Sequence, residues 1–489
     1  MREIETPPNP AILIEAMRDI GYSLETAVAD IIDNSISAEA TTIEMIAPPG
    51  DSPSLAVLDN GHGMTESELL NAMHLGSRSP LEERARQDLG RFGLGLKTAS
   101  FSQCRRLTVV SRKDGGTTAA RWDLDHVAAT CQWLVQVPDD PTGVPFSERL
   151  GDQGTLVLWE NLDRLVEHNE SGFDSGHFNT RLDEMREHLE LVFHRFLSHE
   201  PGKQRVVIKL NNSELRPHDP FMLAHDHTVG APEEKIRIAD SEVVVQCFTI
   251  PHHRHLKGTE WDRAGRAEGH HKNQGFYVYR ERRLIIHGTW FRLARKSELT
   301  KLSRIRVDIP NTLDAQWKID VKKASAQPPA VVRRHLARIR DEIVKTSRQV
   351  FRKQGAQQLA DPERLPLWNR VSEGGAIRYR VNSSSPLVLR FRERLSEDAA
   401  ADFSRVLDAI SAGFPVESLF ADYGSDPHAV DNAALPVEEL EQLIRESWDY
   451  LSSFDYSPEV RREVILAMPP SQANLEAASA VLDPLVQGV

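Results

Sequence analysis

Two polar residues on one face of an early helix have the chemistry of a metal-assisted hydrolytic site. Asp30 and Asn34 are four residues apart, so they project from the same side of an α-helix. An amide oxygen is a hard ligand of the kind that suits Mg²⁺ beside phosphates. A carboxylate one turn earlier can orient or deprotonate an attacking water. Taken alone, the pattern is weak, because it is far more often the polar face of a surface helix.

A second polar feature follows an apolar strand. Asp59 is succeeded by Gly61, Gly63 and Met64. Alternating glycines let a backbone approach a flat ligand closely, and a carboxylate accepts a hydrogen bond from an exocyclic amine such as that of adenine. A bare Asp-x-Gly-x-Gly sequence is otherwise most often a turn.

A glycine-rich segment, residues 90–97, opens a later helix. Its glycines expose backbone N–H groups, the helix N-terminus adds a positive dipole, and Lys97 adds a charge. This is the chemistry of a phosphate cradle, although the spacing is neither that of a Walker loop nor that of a Rossmann turn. The pair Gly154-Thr155, leading into an apolar strand, is a fourth and weaker feature.

Hydrophobic periodicity predicts the elements that must position these residues. An apolar stripe at helical spacing runs through residues 24–32, with Ser23 as a possible cap. Strands follow at 41–47 and 54–59, and Thr65 to Glu68 has the form of a capping box. Further strands are predicted at RRLTVVSRK, TTAARWDLD and GTLVLWENL, then a long helix at 178–198. A second mixed segment is predicted from 204, beginning with the strand RVVIKLNN, to about 325.

In this order the four features resemble the motif series of the GHKL ATPases (gyrase, heat-shock chaperones, histidine kinases and MutL), over residues 12–160. The resemblance implies fold class α+β, with a GHKL (Bergerat) α/β sandwich around a mixed sheet in residues 1–175. It implies a mobile lid at about 74–97, and bound ATP and Mg²⁺.

The resemblance also assigns site residues by position. Asn34 matches the metal-binding amide, Asp59 the adenine-binding acid, and Thr155 the threonine near the adenine. The other nucleotide-binding positions that it implies are Ala38, Gly61, Gly63, Met64, Gly90, Gly93, Leu94, Gly95, Leu96 and Lys97. The catalytic base is Glu in most of the superfamily, whereas this chain has Asp30. Its carboxylate would sit about 1–1.5 Å further from the water, and because small misplacements are costly, slow hydrolysis is expected.

The segment after the ATP site resembles the transducer domain of MutL, MORC proteins, gyrase and the large heat-shock chaperones, here in residues 176–350. Histidine kinases lack this domain, and nothing in the chain suggests the cleavage domain of a topoisomerase. In these families a transducer Lys or Arg reaches the γ-phosphate, for which we favour Lys323 over Lys322. The overall resemblance is to bacterial MORC-like ATPases, which are often linked to restriction or antiphage systems.

Charge is distributed unevenly along the chain. The net charge is −13, yet residues 395–489 hold 18 Asp+Glu against 4 Arg, a net of −14. Residues 251–310 hold 14 Lys+Arg against 6 Asp+Glu, a net of +8. The resemblance implies an ATP-dependent homodimer, and the basic stretch 251–310 would then contact DNA. The alternative is a chaperone-like switch whose mostly helical, acidic C-terminal region, 351–489, binds protein partners.

Other features exclude several classes of protein. No apolar window is long enough for a membrane span, and the start of the chain does not have the pattern of a signal peptide. The 3 cysteines are far apart, which fits the reducing cytoplasm rather than a disulfide framework. The His-rich stretch 252–271 has no accompanying cysteines and fits no closed zinc site.

Overall fold

The structure is a computed structural model of the 489-residue chain. It describes residues 3, 8–19, 21–50, 52–76, 95–165, 168–169, 172–238, 240–252, 255–297, 300–317, 328–343, 367–373, 376–425, 435–454 and 456–487. Contacts between residues divide the chain into two compact units. The first comprises residues 1–255, 262–297 and 301–340, and the second comprises residues 256–261, 298–300 and 341–489.

A seven-stranded mixed sheet begins the first unit. Its strands are β1 (Thr42–Ile46), β2 (Leu55–Asp59), β3 (Arg106–Lys113), β4 (Gly116–Asp123), β5 (Gly154–Glu160), β8 (Val207–Leu210) and β9 (Ser213–Glu214). They lie in the order β4-β3-β5-β2-β1-β8-β9. Only the β1–β8 pair of this sheet is parallel. A separate short ladder joins β6 (His168–Asn169) to β7 (Gly172–Phe173).

Helices cover one face of this sheet. They are α1 (Pro10–Arg18), α2 (Leu24–Ser37), α3 (Glu66–Met73), α4 (Gly95–Gln103), α5 (Leu124–Thr130), α6 (Ser175–Val192) and α7 (His194–Leu197). The apolar stripe of α2 packs into the main core together with Phe101 and Trp159. A smaller apolar cluster on other sheet residues includes Val144 and Leu150, from the 3-10 turns Pro141–Gly143 and Ser147–Arg149. The capping box predicted at Thr65 and Glu68 is present and starts α3.

The first unit contains a second, six-stranded sheet. Its strands are β10 (Val229–Gly230), β11 (Glu234–Ile238), β12 (Ser241–Thr249), β13 (Gly275–Arg280), β14 (Arg283–Thr289) and β15 (Ser303–Ile309). The helices near them in sequence are α8 (Gly258–Gly265), α9 (Gly269–Lys272), α10 (Asp314–Trp317) and α11 (330–343). Strands β13 and β15 pair in parallel, and β13 and β14 form an antiparallel hairpin. Leu191 of α6 packs with Phe221, Tyr279 and Leu284, so the end of α6 joins the core of this sheet.

One strand lies in a different sheet from the one we predicted. The strand RVVIKLNN was expected to begin the second mixed segment, but β8 pairs in parallel with β1 and extends the first sheet. A boundary at residue 175 therefore separates two strands of one sheet. Parallel neighbours are joined by long crossovers, and here the crossover contains most of the first sheet, so local sequence pattern carries no record of the pairing.

The second unit contains a hairpin and a group of helices. Its strands are β16 (Trp368–Glu373) and β17 (Ala376–Val381), and its helices are α12 (Pro386–Glu393), α13 (Glu397–Ala412), α14 (Val416–Ser425), α15 (Val437–Ser452), α16 (Pro458–Leu466), α17 (Pro469–Ala473) and α18 (Leu475–Gln487). Leu440, Ile444 and Trp448 of α15 pack with Ile465 and Leu482. The hairpin was not predicted, whereas the α+β class with a helical C-terminal region is confirmed. No described helix has the length and apolarity that crossing a membrane would require.

Candidate nucleotide site

The polar face of α2 presents a buried carboxylate and an exposed amide. Asp30 is only 4% exposed, and its Oδ2 accepts a hydrogen bond from the Tyr22 hydroxyl at 3.0 Å. Asn34, one turn later, is exposed. Helix α2 holds both in place because its other side, including Val28 and Ile32, is fully buried in the core.

Asp59 stands at the end of β2, where neighbouring elements fix its carboxylate. Its Oδ2 accepts from the Ser35 hydroxyl at 2.8 Å. Its Oδ1 accepts from the backbone N–H groups of Gly61 at 2.9 Å and of Thr155 at 3.3 Å. Burial raises the pKa of Asp59, and these hydrogen bonds oppose that rise. Helix α2 thus contributes Ser35 to the same site to which it contributes Asn34.

Two glycines allow the backbone around Asp59 to pack closely. Gly63 has φ +64, and a Cβ there would lie 2.1 Å from the Arg112 carbonyl oxygen. Gly154 has φ +140, and its Cβ would lie 2.1 Å from the Asp59 carbonyl oxygen. A side chain fits at neither position. The Asp-x-Gly-x-Gly pattern is therefore a turn at which the backbone also packs closely against neighbouring strand ends.

Serine and threonine hydroxyls tie these strand ends together. The Met64 N–H donates to Ser111 Oγ at 2.8 Å, and Ser111 Oγ lies 3.0 Å from Thr155 Oγ1. On the other side, the Ala38 carbonyl accepts from the His62 N–H at 3.0 Å. The structure thus brings Ala38, Asp59, Gly61, Gly63, Met64 and Thr155 together at one end of the sheet.

Part of the glycine-rich segment can be placed beside this group. Helix α4 begins at Gly95, and a Cβ on Gly95 would lie 3.7 Å from Asp30 Oδ2. Leu96 packs against the main core. Gly90, Gly93 and Leu94, with most of the lid predicted at 74–97, lie outside the described residues. So do Lys322 and Lys323.

Lys97 has partners that its sequence position did not suggest. Its side chain is buried, and Nζ donates to the backbone carbonyls of Ala72 and His74, each at 2.8 Å. Burial lowers the pKa of Lys97 to about 8. The ammonium therefore holds the C-terminal end of α3 in this structure, and a role at phosphate remains a prediction.

Sequence reasoning missed three site residues: Tyr22, Ser35 and Ser111. Each uses a hydroxyl to hold a predicted residue, since Tyr22 binds Asp30, Ser35 binds Asp59, and Ser111 binds both Met64 and Thr155. Ser35 was detectable in principle, because it directly follows Asn34. Nothing local in the sequence distinguishes Ser111 from any other strand serine.

The donor set suits ATP and Mg²⁺. A carboxylate has about four acceptor positions, and the described contacts of Asp59 use three, so an exocyclic amine has room to donate. Asn34 offers an exposed amide oxygen, a ligand of the kind that Mg²⁺ prefers, one turn after the buried carboxylate of Asp30 on the same helix. Among the described residues, no three His, Cys, Asp or Glu side chains are grouped so as to form a separate metal site.

Comparison with known proteins identifies the family. A family model described as "Histidine kinase-, DNA gyrase B-, and HSP90-like ATPase" matches residues 22–151, the range that contains α2, Asp59 and Lys97. This part of the chain is therefore a GHKL ATPase domain. Within that superfamily, the domain is similar to MORC and MutL proteins.

Three relatives illustrate this similarity. ATPase morc-1 of Caenorhabditis elegans is 32% identical over 95 residues, which cover 19% of this chain and 11% of that protein. The DNA mismatch repair protein MutL of Acidiphilium cryptum is 33% identical over 100 residues, covering 20% and 17%. The putative MutL protein homolog 1 of Schizosaccharomyces pombe is 28% identical over 155 residues, covering 31% and 22%. Each match therefore spans less than a quarter of the relative's own length.

Proposed function

We propose that this GHKL protein is a Mg²⁺-dependent conformational switch that binds ATP and hydrolyses it slowly. The observation that carries the proposal is the fixed carboxylate of Asp59, held by Ser35 of α2 and by two backbone N–H groups. Because α2 also carries Asp30 and Asn34, one rigid helix links the base-recognition end of the site to its phosphate end.

The chemistry required of the chain is hydrolysis of the terminal phosphate. The oxygen of a water forms a bond to the γ-phosphorus, the bond to the bridging oxygen breaks, and ADP leaves. Asp30 takes the proton from the water, and the Tyr22 hydroxyl on its Oδ2 sets the direction of the carboxylate. Bound Mg²⁺, held by Asn34, would supply positive charge to the phosphates. Asp33 is a weaker candidate base, because it is 1% exposed and paired with Arg283.

Two substitutions in α2 test this function. Asn34→Ala should remove Mg²⁺-dependent ATP binding in calorimetry, since the metal loses its protein oxygen ligand. Asp30→Asn should still bind ATP but should not turn it over, because an amide does not take the proton. Asn71→Ala, which removes another exposed helical amide, is the matched control and should bind ATP as wild type does. Wild-type ATP affinity in Asn34→Ala would refute the assignment.

We further propose that ATP binding drives homodimerisation and that the dimer acts on nucleic acid in the cytoplasm. The three cysteines are free thiols, which fits a reducing compartment. Several arginines of the basic stretch are already paired, with Asp314, Glu200 and Asp33 among their partners. Where the structure describes the part of the basic stretch that belongs to the first unit, its exposed cations are Arg263, Lys272, Arg292, Arg295 and Lys296.

Salt dependence tests the nucleic-acid proposal. Arg292→Glu together with Arg295→Glu should weaken DNA binding, and should reduce the slope of log affinity against log salt by about 2. Arg205→Glu with Arg186→Glu, two arginines of the first unit outside the basic stretch, is the control. Equal losses in both double variants would show that only overall charge matters.

A protein partner is the second candidate, and α13 favours it. This acidic helix buries no residue among those described, and Val406 and Ile410 are about half exposed. If wild type shows no salt-dependent DNA binding but α13 substitutions abolish partner capture, this candidate replaces the first.

The resemblance to bacterial MORC-like ATPases supports a place in a restriction or antiphage system. Phage plating on cells that produce wild type or Asp30→Asn tests it, and equal plating would count against that role.

A further inference from the structure

The end of the β13–β14 hairpin carries arginines that contact three different elements. Its two turn residues, Glu281 and Arg282, have φ +47 and +73, a conformation that normally selects Asn and Gly. The flanking residues Arg280 and Arg283 pair across the hairpin. A turn that keeps two long side chains in left-handed backbone is held there by its surroundings.

Arg283 connects this hairpin to the nucleotide-site helix. Its Nε lies 3.3 Å from Asp33 Oδ1, and the two side chains are 5% and 1% exposed. The guanidinium carbon lies 5.2 Å above the Phe193 ring, and Nη1 donates to the Leu284 carbonyl. Asp33 lies in α2, three residues after Asp30 and directly before Asn34.

The neighbouring arginines anchor the same hairpin elsewhere. Arg280 makes a bidentate pair with Asp314, with contacts of 2.8–3.0 Å. Asp314 begins α10, which precedes Lys318 in sequence. Arg282 donates to Glu200 at 3.1 Å and stacks over Phe196. The hairpin end therefore joins α2 to the start of α10.

A buried pair of this kind contributes little stability, because desolvation of both charges offsets their attraction. An apolar residue at position 33 would carry no such cost. The pair does, however, fix the position of α2. A displaced β14 must either move Asp33 or separate its buried carboxylate from the Arg283 guanidinium.

We propose that Arg283 is a positioning residue for ATP hydrolysis, which sets α2 through Asp33 and couples α2 to Asp314 through the hairpin. This rests on the proposed ATPase function. Misplacing Asp30 by a fraction of an ångström slows the reaction more than it weakens binding.

The experiment uses the full chain with Arg283→Met, Asp33→Asn and both together. Arg283→Met should lower kcat by about 10–100-fold, with ATP affinity changed less than about threefold. The double variant should regain the melting temperature, because it has no unpaired buried charge, but kcat should stay low. Arg306→Met is the control, since Arg306 has acidic partners Glu233 and Asp308 and none in α2. It should keep kcat within about twofold of wild type.

Recovery of kcat together with melting temperature in the double variant would show that the pair is only structural and would overturn the proposal. A wild type without ATPase activity would instead refute the proposed function. Amide hydrogen exchange in α2, which needs no ATP, still decides the positioning role in that case. The positioning role is supported if exchange at residues 28–36 is faster in both Arg283→Met and the double variant but not in Arg306→Met. Unchanged exchange at these residues rejects that role.

Discussion

Lys97 shows how one side chain can stabilise the fold while lying in a segment that is predicted to bind phosphate. Its ammonium donates to Ala72 and His74, carbonyls at the end of α3 that lack partners within the helix. The charge also complements the negative end of the helix dipole. These carbonyls take two of the three ammonium donors, so a Lys97 that turned wholly toward phosphate would loosen the end of α3 next to the predicted lid.

The lowered pKa of Lys97 makes a pH-dependent prediction. The pKa falls from 10.5 to about 8 on folding, so between these values the unfolded chain holds more protons and stability rises with pH. The penalty for burying the charged ammonium is present below pH 8 and is lost by pH 10.5. Relative to Lys97→Met, wild type should therefore gain about 2–3 kcal/mol of unfolding free energy between pH 7.5 and 10. Urea unfolding at both pH values measures this difference. Lys203→Met, at an exposed lysine, is the control, and a Lys97→Met curve parallel to wild type would contradict the prediction.

At the scale of elements, the site depends on strand ends whose backbones pack closely against each other. The backbone of Gly63 runs against Arg112 at the end of β3, and the backbone of Gly154 runs against Asp59 at the end of β2. Because Thr155 and Asp59 are register partners, this close packing also directs the Thr155 N–H at the Asp59 carboxylate. Close packing and the orientation of the Asp59 carboxylate here depend on the same backbone.

Two glycines separate the effect of backbone conformation from that of close approach. Gly63 and Gly115 have φ +64 and +78, but only Gly63 has atoms where a Cβ would stand. Gly115→Ala should cost about 1–2 kcal/mol, the left-handed penalty alone. Gly63→Ala should cost roughly 1–3 kcal/mol more, through overpacking, and should weaken ATP binding. Thermal unfolding of both variants measures the two losses of stability. Equal losses would mean that the backbone around Gly63 shifts freely to make room for the added Cβ.

The elements that the sequence predicted are those encoded over a few residues. The stripe of α2, the capping box at Thr65 and the strands β1 to β5 each follow from spacing within one segment. The features that it did not predict join distant segments. β8 pairs with β1 although most of the first sheet lies between them in the sequence. Arg283 contacts Asp33 although 250 positions separate them. A single sequence gives no signal of such a pair, because neither residue has an unusual neighbourhood.

At the scale of the whole molecule, net charge proves a poor guide to surface charge. Residues 251–310 count as strongly basic, yet Arg280, Arg283 and Arg304 are buried, with side-chain or backbone partners inside the fold. Their charges are used inside the first unit, where Arg283 fixes the contact of the second sheet with α2. The field available to a polyanion comes from the fewer cations that remain exposed, which is why the DNA test targets Arg292 and Arg295.

The last prediction concerns Lys323, through which the segment after the second sheet would contact a bound nucleotide. The chain leading to it starts from a fixed point, since Asp314 is held by Arg280 and Trp317 is fully buried. We predict that Lys323 contacts the γ-phosphate, which ADP lacks, and that a point charge on a flexible stem suits this task. Lys323→Ala should lower the hydrolysis rate by about 10²–10³-fold, as for loss of one preorganised donor. It should also bind ATP and ADP with similar affinity, and should stay monomeric with a non-hydrolysable ATP analogue in analytical ultracentrifugation. Lys322→Ala is the control. An ATP-dependent dimer that persists in Lys323→Ala but is lost in Lys322→Ala would assign the contact to Lys322, and persistence in both would exclude this segment as the sensor.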